Sequence, residues 1–334
     1  MSANIFAWIF DPLIAEILIV SAILFYIIRR DAFIKKNSRL AKWPVFSALC
    51  LAGLAAVFLT VAYGSFIEPQ IIKINRQDIY LSNEAKPIKI ALISDFHAGV
   101  NKKGSFFNRA YGLVEKENPD LVLIAGDVVD ISADQTKYLG AIGDLGKKFR
   151  TFAVLGNHDA GDGTGYDNFS LNPEKIRQII NYLKNQNIKV LENIGEKITI
   201  AGREIYLGGI KDCYTNKEDV AAAFAGAPKS DVLNPLKGAP KDIPRILLAH
   251  EPDIIYEAEK NQIDLTLAAH THGGQIRLPF YGMVSEPFTE LGRYFDKGLF
   301  RFGNTQLFIT SGLGETGARA RLFNPPEIVI LNIY

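Results

Sequence analysis

The stretch Ile88-Lys89-Ile90-Ala91-Leu92-Ile93-Ser94-Asp95-Phe96-His97 reads as a short, apolar, β-rich strand that stops on a polar cluster. Beyond it, Phe106, Phe107, Ala110, Leu113 and Val114 recur at helical spacing up to Asn118-Pro119. Residues 121–125 predict a second strand. Tyr138, Leu139, Ile142 and Leu145 predict a second helix, and residues 152–155 a third strand. This alternation implies βαβ units around a parallel sheet buried on both faces. In such sheets ligands bind beyond the carboxyl ends of the strands.

Those ends share one chemistry. The first strand stops at Asp95-Phe96-His97, the second at Gly126-Asp127-Val128-Val129-Asp130, and the third at Gly156-Asn157-His158-Asp159. Two further apolar runs, 246–249 and 265–269, stop at His250 and at His270-Thr271-His272. All five histidines of the chain therefore lie at strand ends, beside carboxylates and one Asn. Each signal alone has an ordinary explanation. Asp after Gly is common turn chemistry, and a lone histidine is more often a hydrogen-bonded core residue than a ligand. Together, in this order, they point to a divalent metal such as Mn, Fe, Zn or Mg.

The 334 residues are 48% hydrophobic, which excludes disorder as the dominant state. Two cysteines, Cys50 and Cys213, cannot form a disulfide framework. The N-terminal part differs from the rest. Residues 12–28 carry no charge apart from Glu16, and residues 44–67 carry none at all. Both suit membrane spans of about 17 to 25 residues. Asp11-Pro12 reads as a helix start. Ala48, Ala52 and Ala56 form a small-residue stripe that either lets the two helices pack closely or simply faces lipid. The loop 29–42 between the spans holds six basic residues and one acid, which predicts a cytoplasmic loop and an extracytoplasmic remainder. A cleaved signal at Ala62-Tyr63-Gly64 would leave the first span unexplained. Residues 1–67 are thus expected to be a membrane anchor, 68–87 a connector with a strand through Gln70 to Ile74, and 88–334 the domain that carries the five histidines. Residues 1–42 hold six basic and three acidic residues, leaving 31 basic against 33 acidic. Such a remainder has no electrostatic footprint for nucleic acid.

The ordered motifs Asp95-x-His97, Gly126-Asp127-x-x-Asp130, Gly156-Asn157-His158-Asp159, His250 and His270-Thr271-His272-Gly273-Gly274-Gln275 resemble the calcineurin-like metallophosphoesterase superfamily over residues 88–333. The HTHGGQ run and the ending SGLGETGARARLFNPPEIVILNI most resemble its membrane-linked, YaeI/YkuE-like branch, similar to the chlamydial-type UDP-2,3-diacylglucosamine pyrophosphatase. Ala269 departs from the family's usual Gly before the first His. The resemblance implies an α/β fold: a four-layer α/β/β/α sandwich, here preceded by two transmembrane helices. It also implies two divalent metal ions. Asp95, His97 and His272 would hold one and Asn157, His250 and His270 the other. Asp127 would bridge them with one carboxylate oxygen to each. His158 would be the catalytic acid, oriented by Asp130, and Asp159 would cap the Gly-rich loop that follows it.

The implied function is a membrane-anchored phosphoester hydrolase at a bacterial cytoplasmic membrane. Its expected substrate is a lipid-linked phosphodiester or pyrophosphate of the UDP-diacylglucosamine type. Loop charge and substrate pull apart here, because nucleotide-linked sugars are cytoplasmic. An external phospholipid or wall-linked phosphate resolves that tension. A hydrolase of soluble nucleotides and a non-catalytic membrane scaffold are the alternatives. Residues 161–172 and 213–244 are candidate substrate-shaping loops.

Overall fold

In the computed structural model, residues 3–35, 37–82, 86–99, 101–130, 132–161, 171–210, 243–285 and 289–334 are described. The bulk of both candidate substrate-shaping loops, and Cys213, lie outside them.

Two six-stranded sheets form the body. The first has the order β1 (Lys73–Ile79), β14 (Glu327–Ile333), β2 (Ile88–Ile93), β3 (Leu121–Ala125), β4 (Thr151–Val154) and β5 (Ile188–Val190). Strands β2 to β5 are parallel, as the alternating pattern requires, while β14 enters antiparallel beside β2. The second has the order β12 (Gly298–Phe302), β13 (Thr305–Ile309), β9 (Leu265–Ala268), β8 (Arg245–Leu248), β7 (Arg203–Gly209) and β6 (Ile194–Ile200). A small hairpin, β10 (Arg277–Leu278) with β11 (Gly282–Met283), stands apart.

The two sheets face each other across one apolar layer, where Leu92, Leu123 and Val154 meet Leu207, Leu248 and Leu267. Helices α3 (Gly104–Glu117) and α6 (Pro173–Asn185) cover the outer face of the first sheet through Phe107, Val114, Ile179 and Leu183. The short helix Ile255–Lys260 covers the second sheet. These are the four layers expected, and every ligand-bearing loop emerges at one edge of them. Ala269 is buried in the intersheet core, where its methyl is accommodated.

The predicted second helix is not continuous. Residues Ala133–Tyr138 and Gly140–Asp144 are 3₁₀ turns, and only the single turn α4 (Leu145–Lys148) is α-helical. Gly140 takes φ +57°, a left-handed conformation that interrupts a helix, and the carboxamide of Asn108 accepts from Ala141 N at 2.7 Å. The connector strand also lies later than expected. Glu68–Gln70 forms a 3₁₀ turn with Pro69 in it, so β1 begins only at Lys73.

Helix α1 (Ala3–Arg29) runs through Pro12 instead of starting there. A proline inside a helix costs one main-chain hydrogen bond. Asp11 does not cap it but pairs with Arg319 of the body. Helix α2 (Pro44–Ala62) continues as a wide turn through Tyr63–Ile67. The two helices pack on each other, and both are long and apolar enough to cross a membrane. Ala48, Ala52 and Ala56 are exposed, while Ser47 is fully buried, so the alanine stripe is not the packing face.

Candidate metal centre

The strand ends bring all seven predicted donors together. Asp95, His97, Asp127, His270 and His272 all have φ between +41° and +70°. Non-glycine residues rarely adopt that region, and it aims each side chain back over the sheet edge. In the run His270-Thr271-His272 the backbone is therefore kinked rather than extended, and the two imidazoles diverge into different groups.

The first group is Asp95, His97, Asp127 and His272, whose ligand atoms all lie within 4.8 Å of one another. His97 Nε2 stands 3.1 Å from His272 Nε2 and 3.3 Å from Asp127 Oδ2. His272 Nε2 is 3.4 Å from Asp95 Oδ1. His272 Nδ1 lies 3.3 Å from the Gly314 carbonyl, which can only accept, so the proton sits on Nδ1 and Nε2 offers a lone pair. The second group shares Asp127. His250 Nε2 is 3.2 Å from Asp127 Oδ2 and 3.3 Å from His270 Nδ1, which is 3.1 Å from Asn157 Oδ1. His250 Nδ1 donates to the Ala125 carbonyl at 2.7 Å, fixing that tautomer too.

Asp127 differs from expectation. Its Oδ2 alone faces both groups, because Oδ1 accepts from His158 N at 2.9 Å. Burial pushes this carboxyl up, but His250, His158 and His97 outweigh it and hold Asp127 well below the usual range. Asp95 is pushed up, chiefly by burial. Burial, then the charge of His97, holds His272 well below the ordinary imidazole range.

These residues fit a divalent cation. Two imidazole nitrogens at 3.1 Å cannot both present lone pairs without a proton or a cation between them. Asp95 Oδ1, which faces His272 Nε2, is a buried atom without a hydrogen-bond partner. Removing such an atom from water is costly unless something satisfies it.

His158 stands beside the groups, its ring 4.6 Å from that of His97 and edge-on to it. Its Nδ1 lies 3.1 Å from the main-chain oxygen of Asp130, whereas the Asp130 carboxylate is 3.8 Å away. That carboxylate stands 3.7 Å from His97 Nδ1. The orienting contact of His158 is thus a backbone carbonyl, and the charge of Asp130 is shared between two rings. Burial lowers the His158 pKa against the pull of Asp127.

Asp159 stands before residues 162–170 of the Gly-rich loop, which lie outside the described residues. Its fully buried carboxylate turns back to accept from Val128 N, Val129 N and Gly156 N at 2.9–3.1 Å, clipping two ligand loops together. Burial, then Asp127, pushes it up to about 6. Asp159→Ala strands three buried N–H groups at roughly 1–3 kcal/mol each, partly offset by relief of the buried charge. Thermal unfolding should show a loss of about 3 kcal/mol, and an unchanged midpoint would remove the clip from the account.

The C-terminal strap, residues 311–324, carries no ligand motif yet forms a wall of the site. The Asp95 carboxylate lies so close to Gly312 that a Cβ there would come within 2.5 Å of Oδ2. Arg321, fully buried, donates to the carbonyls of Ser311, Asn324 and Gly314, the last also facing His272. Arg321 N donates to Gly64 O at 2.9 Å, and Glu68 accepts from Phe323 N and Asn324 N. The end of α2 is therefore bonded to the wall of the site. Lys102 Nζ joins the same cluster, donating to Pro69 O and Glu315.

Burial, opposed by Glu315, brings Lys102 down from 10.5 to about 8. Between those values the unfolded chain binds more protons than the folded one, so stability should rise with pH through that window. Comparing melting midpoints at about pH 7.5 and 9.5, Lys102→Met should flatten the rise. A rise of equal size in the variant would place its source elsewhere.

Two imidazole–carboxylate groups sharing one aspartate oxygen, at the strand ends of a double-sheet sandwich, are the fold and site arrangement of the metallophosphatase class. The sequence pattern of the calcineurin-like phosphoesterase family matches residues 88–274, more than half of the chain, and the protein belongs to that family. It is 30% identical over 275 residues to phosphodiesterase YaeI of Escherichia coli, covering 81% of this chain and 92% of that one. It is 32% identical over 259 residues to metallophosphoesterase Cj0846 of Campylobacter jejuni and 33% over 264 residues to a Helicobacter pylori metallophosphoesterase. Those matches cover 77% and 78% of this chain, but only 62% and 64% of the two relatives.

Proposed function

We propose that this chain is a membrane-anchored phosphodiesterase using two divalent ions, with a lipid-linked phosphodiester or pyrophosphate as substrate. The observation that carries the reading is the convergence of His97, His250 and Asp127 Oδ2 within 3.3 Å contacts. Asp95, His97, Asp127 and His272 would hold one cation, and Asp127, Asn157, His250 and His270 the other. Cations held there would supply Lewis-acid polarisation of the phosphoryl group and lower the pKa of the attacking water. The chain's own part is charge and geometry. The Asp127 carboxylate would offset repulsion between two cations held in the two groups. His158 donates a proton to the departing oxygen, its Nδ1–H fixed on the Asp130 carbonyl. A bound phosphate dianion or monoanion favours the protonated ring, opposing the effect of burial.

The lipid-linked assignment draws on the two apolar helices and on their hydrogen bonds to the wall of the site. Loop charge assigns the catalytic domain to the extracytoplasmic side, where a phospholipid or wall-linked phosphate is the available diester. The full chain in detergent micelles with added Mn, assayed on lipid-linked and soluble diesters, tests this. Preferential, chelator-sensitive turnover of the lipid-linked diester is expected. Equal turnover of both would sink the lipid assignment and favour a soluble-nucleotide hydrolase.

A further inference from the structure

We infer that the hairpin β10–β11 is a membrane-docking wedge, which seats the mouth of the metal site on the lipid headgroup layer. The inference rests on the reading that α1 and α2 span the bilayer, and it names the lipid surface as the partner of the site itself.

The hairpin grows directly out of the ligand loop, three residues after Gly274. Its turn carries Leu278, Phe280 and Tyr281, which are 45%, 111% and 59% exposed. A two-stranded ribbon this short gains nothing from presenting three large apolar side chains to water. The tip is nonetheless held firmly. The Arg293 guanidinium lies 4.4 Å from the Tyr281 ring centroid and donates to Met283 O at 2.7 Å, while Arg277 pairs with Asp296.

Its position is fixed relative to the helices. Arg277 N donates to Leu322 O at 2.9 Å and Leu322 N to Gln275 O at 3.1 Å. Leu322 lies against Gly64, at the end of α2, and its neighbour Arg321 is bonded to the Gly64 carbonyl. On the other side of Leu322, Phe323 is 59% exposed and anchored to Glu68. Asp11, near the start of α1, pairs with Arg319 of the same strap. Both helices thus meet the body at residues 319–324, immediately beside the hairpin. Phe66 and Ile67, exposed in the wide turn after α2, directly precede Glu68, whose carboxylate accepts from Phe323 N. Aromatic side chains flanked by arginine are the composition that settles at the headgroup level of a bilayer. An extension of surface that is continuous with two apolar helices has lipid as its natural occupant.

The test uses the full chain with Cys50→Ser and Cys213→Ser, reconstituted one copy per lipid nanodisc of neutral and anionic phospholipid. A nitroxide is placed at Phe280→Cys and, as a reference, at Lys184→Cys. Lys184 is exposed near the start of β5, the sheet edge opposite the ligands. Oxygen should relax the label at 280 and water-soluble nickel chelate should not, corresponding to a depth of about 5–10 Å. The label at 184 should show the reverse. Nickel access at 280 equal to that at 184 overturns the inference, and protection from both reagents assigns the tip to a protein contact and overturns it equally. Hydrolysis of bis(p-nitrophenyl) phosphate by the same discs keeps the two readings separate. A wet tip on an active enzyme removes only the wedge, and a lipid-immersed tip on an inactive one removes only the hydrolase.

Discussion

Asp127→Asn should strip the protein of metal and lower diester hydrolysis by about 10³-fold or more, the scale of several kcal/mol of lost charge stabilisation. The side chain sits where no amide can replace it. Oδ2 lies 3.3 Å from His97 Nε2 and 3.2 Å from His250 Nε2, while Oδ1 accepts from His158 N. An asparagine has one acceptor oxygen for these two demands. With that oxygen toward His158 N, its NH₂ points into the metal groups. With the oxygen toward the metals, the NH₂ opposes an N–H donor. Metal content after dialysis, read by mass spectrometry beside the activity, checks this. Two tightly retained ions in the variant would refute the bridging role.

His158→Ala should keep its metals and lose rate by roughly 10²- to 10⁴-fold, the usual share of a general acid. The contact that supports Asp127 comes from the main-chain N–H of residue 158, which alanine retains. The loss therefore reports on the ring alone. A substrate whose leaving group needs no proton, such as p-nitrophenolate, should recover much of the rate. Full activity on a diester with a poor leaving group would remove His158 from the mechanism.

How much of this was legible depended on where each residue lies along the chain. The candidate donors stood out because β2, β3, β4, β8 and β9 are apolar runs that each end on a polar cluster of His, Asp or Asn, and the family resemblance singled out seven of those residues. The role of Asp130 was only half legible, because His158 uses its carbonyl, and a sequence does not show which atom of a residue is used. The contacts of Asp159 that clip together loops 30 residues apart were not legible, since its partners there are main-chain N–H groups that every sequence has. The break at Gly140 was written in the sequence, but the apolar spacing of Tyr138, Leu139, Ile142 and Leu145 outweighed it.

The sequence by itself determined the layered α/β architecture, the two apolar helices, and the gathering of all five histidines at strand ends beside carboxylates, because burial periodicity and ligand chemistry are properties of residue types in order; the choice of seven donors among them is what the family resemblance implies. Only the tertiary structure decided that one oxygen of Asp127 serves both groups. It also joined the C-terminal strap, the end of α2 and an aromatic hairpin around the mouth of the site. The strap meets the end of α2 across more than 200 positions, and meets the hairpin through Arg277 N and Leu322 O, largely by backbone atoms, so no local pattern encodes these contacts.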